Sequence, residues 1–98
     1  MIRHIIFWNL SETGKQKNQQ ELLAAMQQSL RQMVGSVPGL LCAEIARNTA
    51  SGCDYVFYAE LSDVEALSAY QVHPLHLAHK ERFQEDFAAR SVGDYEVL

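Results

Sequence analysis

Basic residues are scarce in this chain. Eight Lys and Arg stand against twelve Asp and Glu, a formal net charge of −4 over 98 residues. No run of positive charge is present to track a nucleic-acid backbone or to settle on an anionic membrane, so neither is expected as a partner. No apolar run is long enough to cross a bilayer. The opening "MIRHIIFWNL" has one basic residue and no small-residue cleavage site after its short apolar run. It is therefore expected to be a strand of the mature protein and not a leader. Cysteine occurs only twice, at Cys42 and Cys53, outside any C-x-x-C spacing. On the two arms of one hairpin these thiols fall several residues out of register, and at about 3.3 Å per residue that separation defeats a disulfide. Two free thiols suggest a reducing, cytoplasmic setting. There is no glycine-rich phosphate loop to hold a nucleotide and no nucleophile elbow, so no cofactor is expected. Low-complexity stretches and internal repeats are absent too. With 48% hydrophobic and 20% charged residues, the composition is that of a folded chain, and its length suits one domain over residues 1–98.

What is present is periodicity. Residues 2–10 place His4, Ile6, Trp8 and Leu10 against Ile5, Phe7 and Asn9, a strand apolar on both sides. "SETGKQKNQQ" reads as a polar connection. From about residue 18 to 35, Leu22, Leu23, Met26, Leu30, Met33 and Val34 form one helical stripe, stopped at Gly35 and followed by a Pro38-Gly39 turn. "LCAEIARN" at 41–48 and "DYVFYAEL" at 54–61 read as two strands joined by "TASG". Ser62 and Glu65 form a capping-box pattern for a short helix through Gln71. A second helical stretch follows Pro74 to about Ala89, with His79, Phe83 and Phe87 at four-residue steps, and "VGDYEVL" closes the chain as a strand. The order β-α-β-β-α-β predicts an α+β, ferredoxin-like subunit. Two helical segments cover one face of a four-stranded sheet, yet the first and third strands are apolar on both sides. The exposed face then calls for a second copy, sheet against sheet, in a homodimer with a shared barrel-like core.

Three of the four histidines lie in "YQVHPLHLAH", residues 70–79. The simplest reading is structural: proline favours the first helical position and keeps its predecessor out of the helix. His73 is then the N-cap, with His76 in the first turn and His79 on the stripe. Metal binding is disfavoured, since no Glu or Cys stands at a ligand spacing and H-E-x-x-H is absent. Acid–base chemistry is the third reading. The helix N-terminus disfavours the charged imidazole, leaving His76 neutral and able to accept a proton. Tyr70 brings a phenol to the same bend, and His4 is the polar residue on the apolar face of the first strand.

In order along nearly the whole chain, "IRHIIFW", "PGL", "YVFYAELSDVEALSAYQVHPLH" and "VGDYEV" resemble the stress-responsive A/B barrel (Dabb) family. The resemblance implies a ferredoxin-like subunit that forms a dimeric α+β barrel. One plant branch of that family acts as a polyketide cyclase, closing a linear polyketo thioester by aldol condensation without a cofactor, with a histidine base and an orienting tyrosine. On matching positions His76 would be the base, Tyr70 the orienting phenol and His4 a pocket residue, and His73 matches the first histidine of H-P-x-H. The chain departs from the pattern at Tyr55, where the cyclases have a second histidine, at Ala46 in place of a frequent glycine, and at Asn9 in place of a frequent lysine.

Two functions follow. The first is a pocket between sheet and helices for a hydrophobic, carbonyl-bearing small molecule, lined by Ile6, Trp8, Tyr55, Phe57, Phe83, Phe87 and His73. His76, Tyr70 and His4 would supply cyclase- or isomerase-like proton transfer. The second is a non-catalytic, stress-associated protein whose histidines serve packing and capping. A cofactor-independent monooxygenase is open by fold analogy alone.

Overall fold

The computed structural model describes residues 1–98. Four strands, β1 (Ile2–Leu10), β2 (Leu40–Arg47), β3 (Tyr55–Leu61) and β4 (Phe87–Glu96), form one antiparallel sheet in the order β2-β3-β1-β4. A four-residue helix α1 (Glu12–Lys15) and the long α2 (Gln19–Met33) lie between β1 and β2, and α3 (Val64–Val72) and α4 (Pro74–Phe83) precede β4. This is the ferredoxin-like α+β arrangement.

Local chemistry accounts for the helix ends. The Asn18 side chain accepts from the Glu21 amide at the start of α2, and Gly35, at φ +90°, takes the left-handed position that ends it. Leu22, Met26, Leu30 and Met33 recur on one face of α2 and are buried, each stabilising the fold by roughly 1.5–3 kcal/mol through removal from water. They meet Ile2 and Ile6 of β1, Leu40 and Ile45 of β2, and Tyr55, Phe57, Ala59 and Leu61 of β3 in the single core. β1 and β3 alternate strictly between buried and half-exposed or exposed positions along most of their length, which puts all the helices on one face.

Three sequence expectations are corrected. The connection after β1 contains α1, capped by Ser11. The cap of α3 is Asp63, whose carboxylate accepts from the Ala66 amide at 2.7 Å, and not Ser62. The last helix ends at Phe83, and after a single 3₁₀ turn (Gln84–Asp86) the chain enters β4 five residues earlier than Val92. Phe87 therefore lies on a strand opposite Leu10, not on a helical stripe. The segment "QEDFAARS" favours a helix locally, but pairing with β1 prevails.

The uncovered sheet face is of two kinds. Ile5, Phe7 and Val56 make an apolar end, with Phe7 46% exposed. At the other end Arg3 lies 3.9 Å from Glu60 and donates to the Tyr95 hydroxyl, and Tyr58 donates to Glu60. The face is thus less uniformly apolar than the strand pattern implies. Both cysteines are free, Cys42 paired opposite Glu60 and Cys53 in the loop before β3.

Candidate functional site

A cavity of about 540 Å³ opens between the sheet and the α3–α4 side of the helical layer, within the range of about 300–1,000 Å³ that accommodates a small organic molecule. It exists because β4 carries no packing. Every residue of β4 after Phe87 is exposed, so the inner face of the sheet is filled under β2 and β3 and open towards β4.

Proline positions the first functional side chains. Pro74 opens α4 at its first turn, and His73 caps it, its Nδ1 accepting from the Leu75 amide at 3.1 Å. The bend between α3 and α4 turns Tyr70, the last buried residue of α3, against His76 in the first turn of α4. Their ring centroids are 4.4 Å apart. His4 on β1 approaches from the sheet, with its ring 6.3 Å from Tyr70 and 5.8 Å from Phe57. His4, Tyr70 and His76 thus share one wall of the cavity.

Hydrogen bonding sets the tautomers. The Gln71 carbonyl can only accept, so His76 donates from Nδ1 at 3.2 Å, and Nε2 is left as the proton acceptor. Burial is the main reason that the His76 pKa falls below the usual histidine value, with Lys80, His4 and Arg90 acting in the same direction. The ring is therefore neutral at pH 7. Tyr70 is 3% exposed, and burial alone drives its pKa upward. It remains a phenol and a hydrogen-bond donor. His4 donates from Nδ1 to the Asp94 carboxylate, directly opposite on β4.

Ile6, Trp8, Phe57, Phe83 and Phe87 also line the cavity. Two residues expected in the pocket do not. Tyr55 is 1% exposed, and its hydroxyl donates to Gln19 Oε1 at 2.8 Å. It is a core residue that ties β3 to α2. His73 is committed to its cap and also lies outside the wall. Sequence reasoning missed His79, Lys80, Arg90 and Asp94. His79 bonds the Ser29 hydroxyl through Nδ1 at 2.7 Å and packs on Phe83, and burial is the main cause that pushes its pKa down to about 4. Its place three residues after His76, with Lys80 at four, was the available signal, since both spacings return to the same helix face. No three His, Cys, Asp or Glu side chains converge on a point that could hold a metal ion.

A family model described as the stress-responsive A/B barrel domain matches residues 2–97. The chain belongs to the Dabb family. Three solved structures show the fold that this Dabb domain shares. A dimeric protein of unknown function and ferredoxin-like fold from Bacteroides fragilis NCTC 9343 is 19% identical, with a TM-score of 0.81 over 98% of this chain and 95% of its own. A Dabb family protein with a ferredoxin-like fold from Mesorhizobium loti is 21% identical, with a TM-score of 0.75 over 99% and 96%. A hydroxynitrile lyase from Passiflora edulis is 13% identical, with a TM-score of 0.78 over 99% and 93%. Among curated proteins, no sequence match to this Dabb domain was found.

Proposed function

We propose that this Dabb domain binds a hydrophobic, carbonyl-bearing small molecule beneath α3 and α4 and transfers a proton next to that carbonyl. His76 is the base and Tyr70 the donor that orients and polarises the carbonyl oxygen. His4, steadied by Asp94, is the second imidazole of the site. The observation that carries this reading is the Tyr70–His76 pair, a buried phenol and a half-buried imidazole with ring centroids 4.4 Å apart on the cavity lining. One is held as a neutral base with a fixed tautomer and the other as an intact phenol.

The test uses 2-acetylnaphthalene, whose methyl protons are acidic only through the adjacent carbonyl. In deuterated buffer the protein should accelerate their exchange, read by proton NMR. His76→Gln should return the rate to that of buffer, and Tyr70→Phe should lower it by about tenfold to a hundredfold. A His76→Gln variant that exchanges as fast as the wild type ends the proposal.

One observation favours a second reading, a binding domain without catalysis. His73 and His79 are fully accounted for by a cap and by the Ser29 bond, so histidines in this segment do serve structure. Under that reading the probe binds and no exchange is accelerated.

We further infer a homodimer through the uncovered sheet face. Phe7, Ile5 and Val56 form its apolar contact and the Arg3–Glu60 end its rim. Light scattering should give twice the chain mass for the wild type and the monomer mass for Phe7→Glu. A wild-type monomer at micromolar concentration contradicts the inference.

A further inference from the structure

The chain is acidic, but its cavity is not. Twelve Asp and Glu outnumber eight Lys and Arg overall, yet none of the twelve lines the cavity, while Lys80 and Arg90 both do, with three imidazoles beside them. Neither cation forms an ion pair within the chain. Arg90 instead lies over the Trp8 ring, 5.5 Å from its centroid, a cation–π position that leaves the guanidinium's hydrogen-bonding edge free. Asp94 is bonded to His4 and so is not the partner of either cation. Both charges act on His76, since Lys80 and Arg90 each lower its pKa, so the positive field reaches the candidate base. Behind the cations the wall is aromatic, formed by Trp8, Phe57, Phe83 and Phe87.

We infer that the ligand of this cavity is an aromatic carboxylate, its ring held among Trp8, Phe57, Phe83 and Phe87 and its anionic group at the mouth against Lys80 and Arg90. The inference rests on the pocket proposed above and narrows what fills it. The nearest carboxylate, Asp94, is already bonded to His4, so the two unpaired cations are left to attract an anion, and a guanidinium fork donates to two carboxylate oxygens at once. Both cations are exposed, so water and salt weaken each contact, and the charge selects among ligands more than it adds affinity.

The experiment compares 1-naphthoate with 1-naphthamide, equal in shape and different in charge, by titration calorimetry on the wild-type protein. Naphthoate should bind about tenfold more tightly. Arg90→Gln and Lys80→Gln should each weaken naphthoate by about threefold and leave naphthamide unchanged, and added salt should weaken naphthoate alone. If naphthamide binds and naphthoate binds no tighter, the pocket stands and the anion inference fails. The same holds if both variants retain full naphthoate affinity. If neither probe binds at millimolar concentration, the pocket reading fails together with the inference.

Discussion

β3 and β4 flank the same strand, and both pair with it antiparallel along most of its length, yet their inner faces have opposite fates. On β3, Tyr55, Phe57, Ala59 and Leu61 are 1%, 6%, 0% and 0% exposed. On β4, Arg90, Val92 and Asp94 stand opposite Trp8, Ile6 and His4, on the same face of the sheet, and all three are exposed. Backbone pairing is therefore not what distinguishes them. The helices settle over β2 and β3, where apolar side chains fill the space beneath, and the uncovered strip beside β4 is left as the cavity. β3 holds the fold by burial. β4 is held at its edges instead: Ser11 donates its amide to the Asp86 carbonyl at 2.9 Å, Lys17 pairs with the Asp86 carboxylate at 2.6 Å, and the Val97 amide bonds the Met1 carbonyl at 2.8 Å.

The largest test of that contrast is a pair of truncations read by urea denaturation. Leu61→Ala on β3 should cost about 3–5 kcal/mol, since the removed methyls leave a void in a filled core. Val92→Ala on β4, from a side chain 48% exposed, should cost less than about 0.5 kcal/mol. Equal costs would erase the distinction between the strands. Next comes the clasp that starts β4. A Cβ on Gly14 would stand 2.0 Å from the Asp86 carbonyl oxygen, a backbone atom that cannot step aside cheaply. Gly14→Ala should therefore cost about 3 kcal/mol by overpacking, and amide exchange should quicken along β4 while β3 stays protected.

A smaller effect comes from His79, on the helical wall that faces β4. Its folded pKa of about 4 lies below the ordinary 6.5, so on acidification the unfolded chain takes up the proton first. The stability is fully present above about pH 6.5 and is lost as pH falls towards 4, by about 2 kcal/mol after discounting for partial exposure. His76 is shifted in the same direction and adds to the loss. Urea midpoints at pH 4.5 and pH 7 should differ by clearly less in His79→Gln than in the wild type. The smallest test concerns the packed half alone. Asp63→Ala, which removes the cap of α3, should cost about 1 kcal/mol, and Ser62→Ala within about 0.5 kcal/mol. The reverse order would restore Ser62 as the cap.

The same contrast decides what was legible in the sequence. The α2 stripe, the two strands of the hairpin and the Pro74 helix start were readable, because buried faces leave periodic apolar patterns and caps leave polar residues at fixed offsets. β4 was not. With neither of its faces buried within the subunit, Arg90, Ser91, Asp94 and Glu96 alternate with nothing, and "QEDFAARS" kept its helical look. Arg90 was lost from the candidate site with that segment, and Asp94 because its place opposite His4 is set by cross-strand register, which leaves no local signal. His4 was within reach as the polar residue on an apolar strand face, and Tyr70 and His76 through the Pro74 bend and the family resemblance. Tyr55 was placed in the pocket by matching a family position. Its hydroxyl has a partner in Gln19, and one strand's alternation cannot reveal how far across the sheet the open space extends.

Trp8, the only tryptophan of the chain, stands in the cavity wall between the Arg90 guanidinium and the Phe87 ring, 5.1 Å from the latter. The molecule therefore carries its own optical gauge. Whatever enters must disturb the environment of that indole, so emission from the unlabelled protein is enough to screen for a guest.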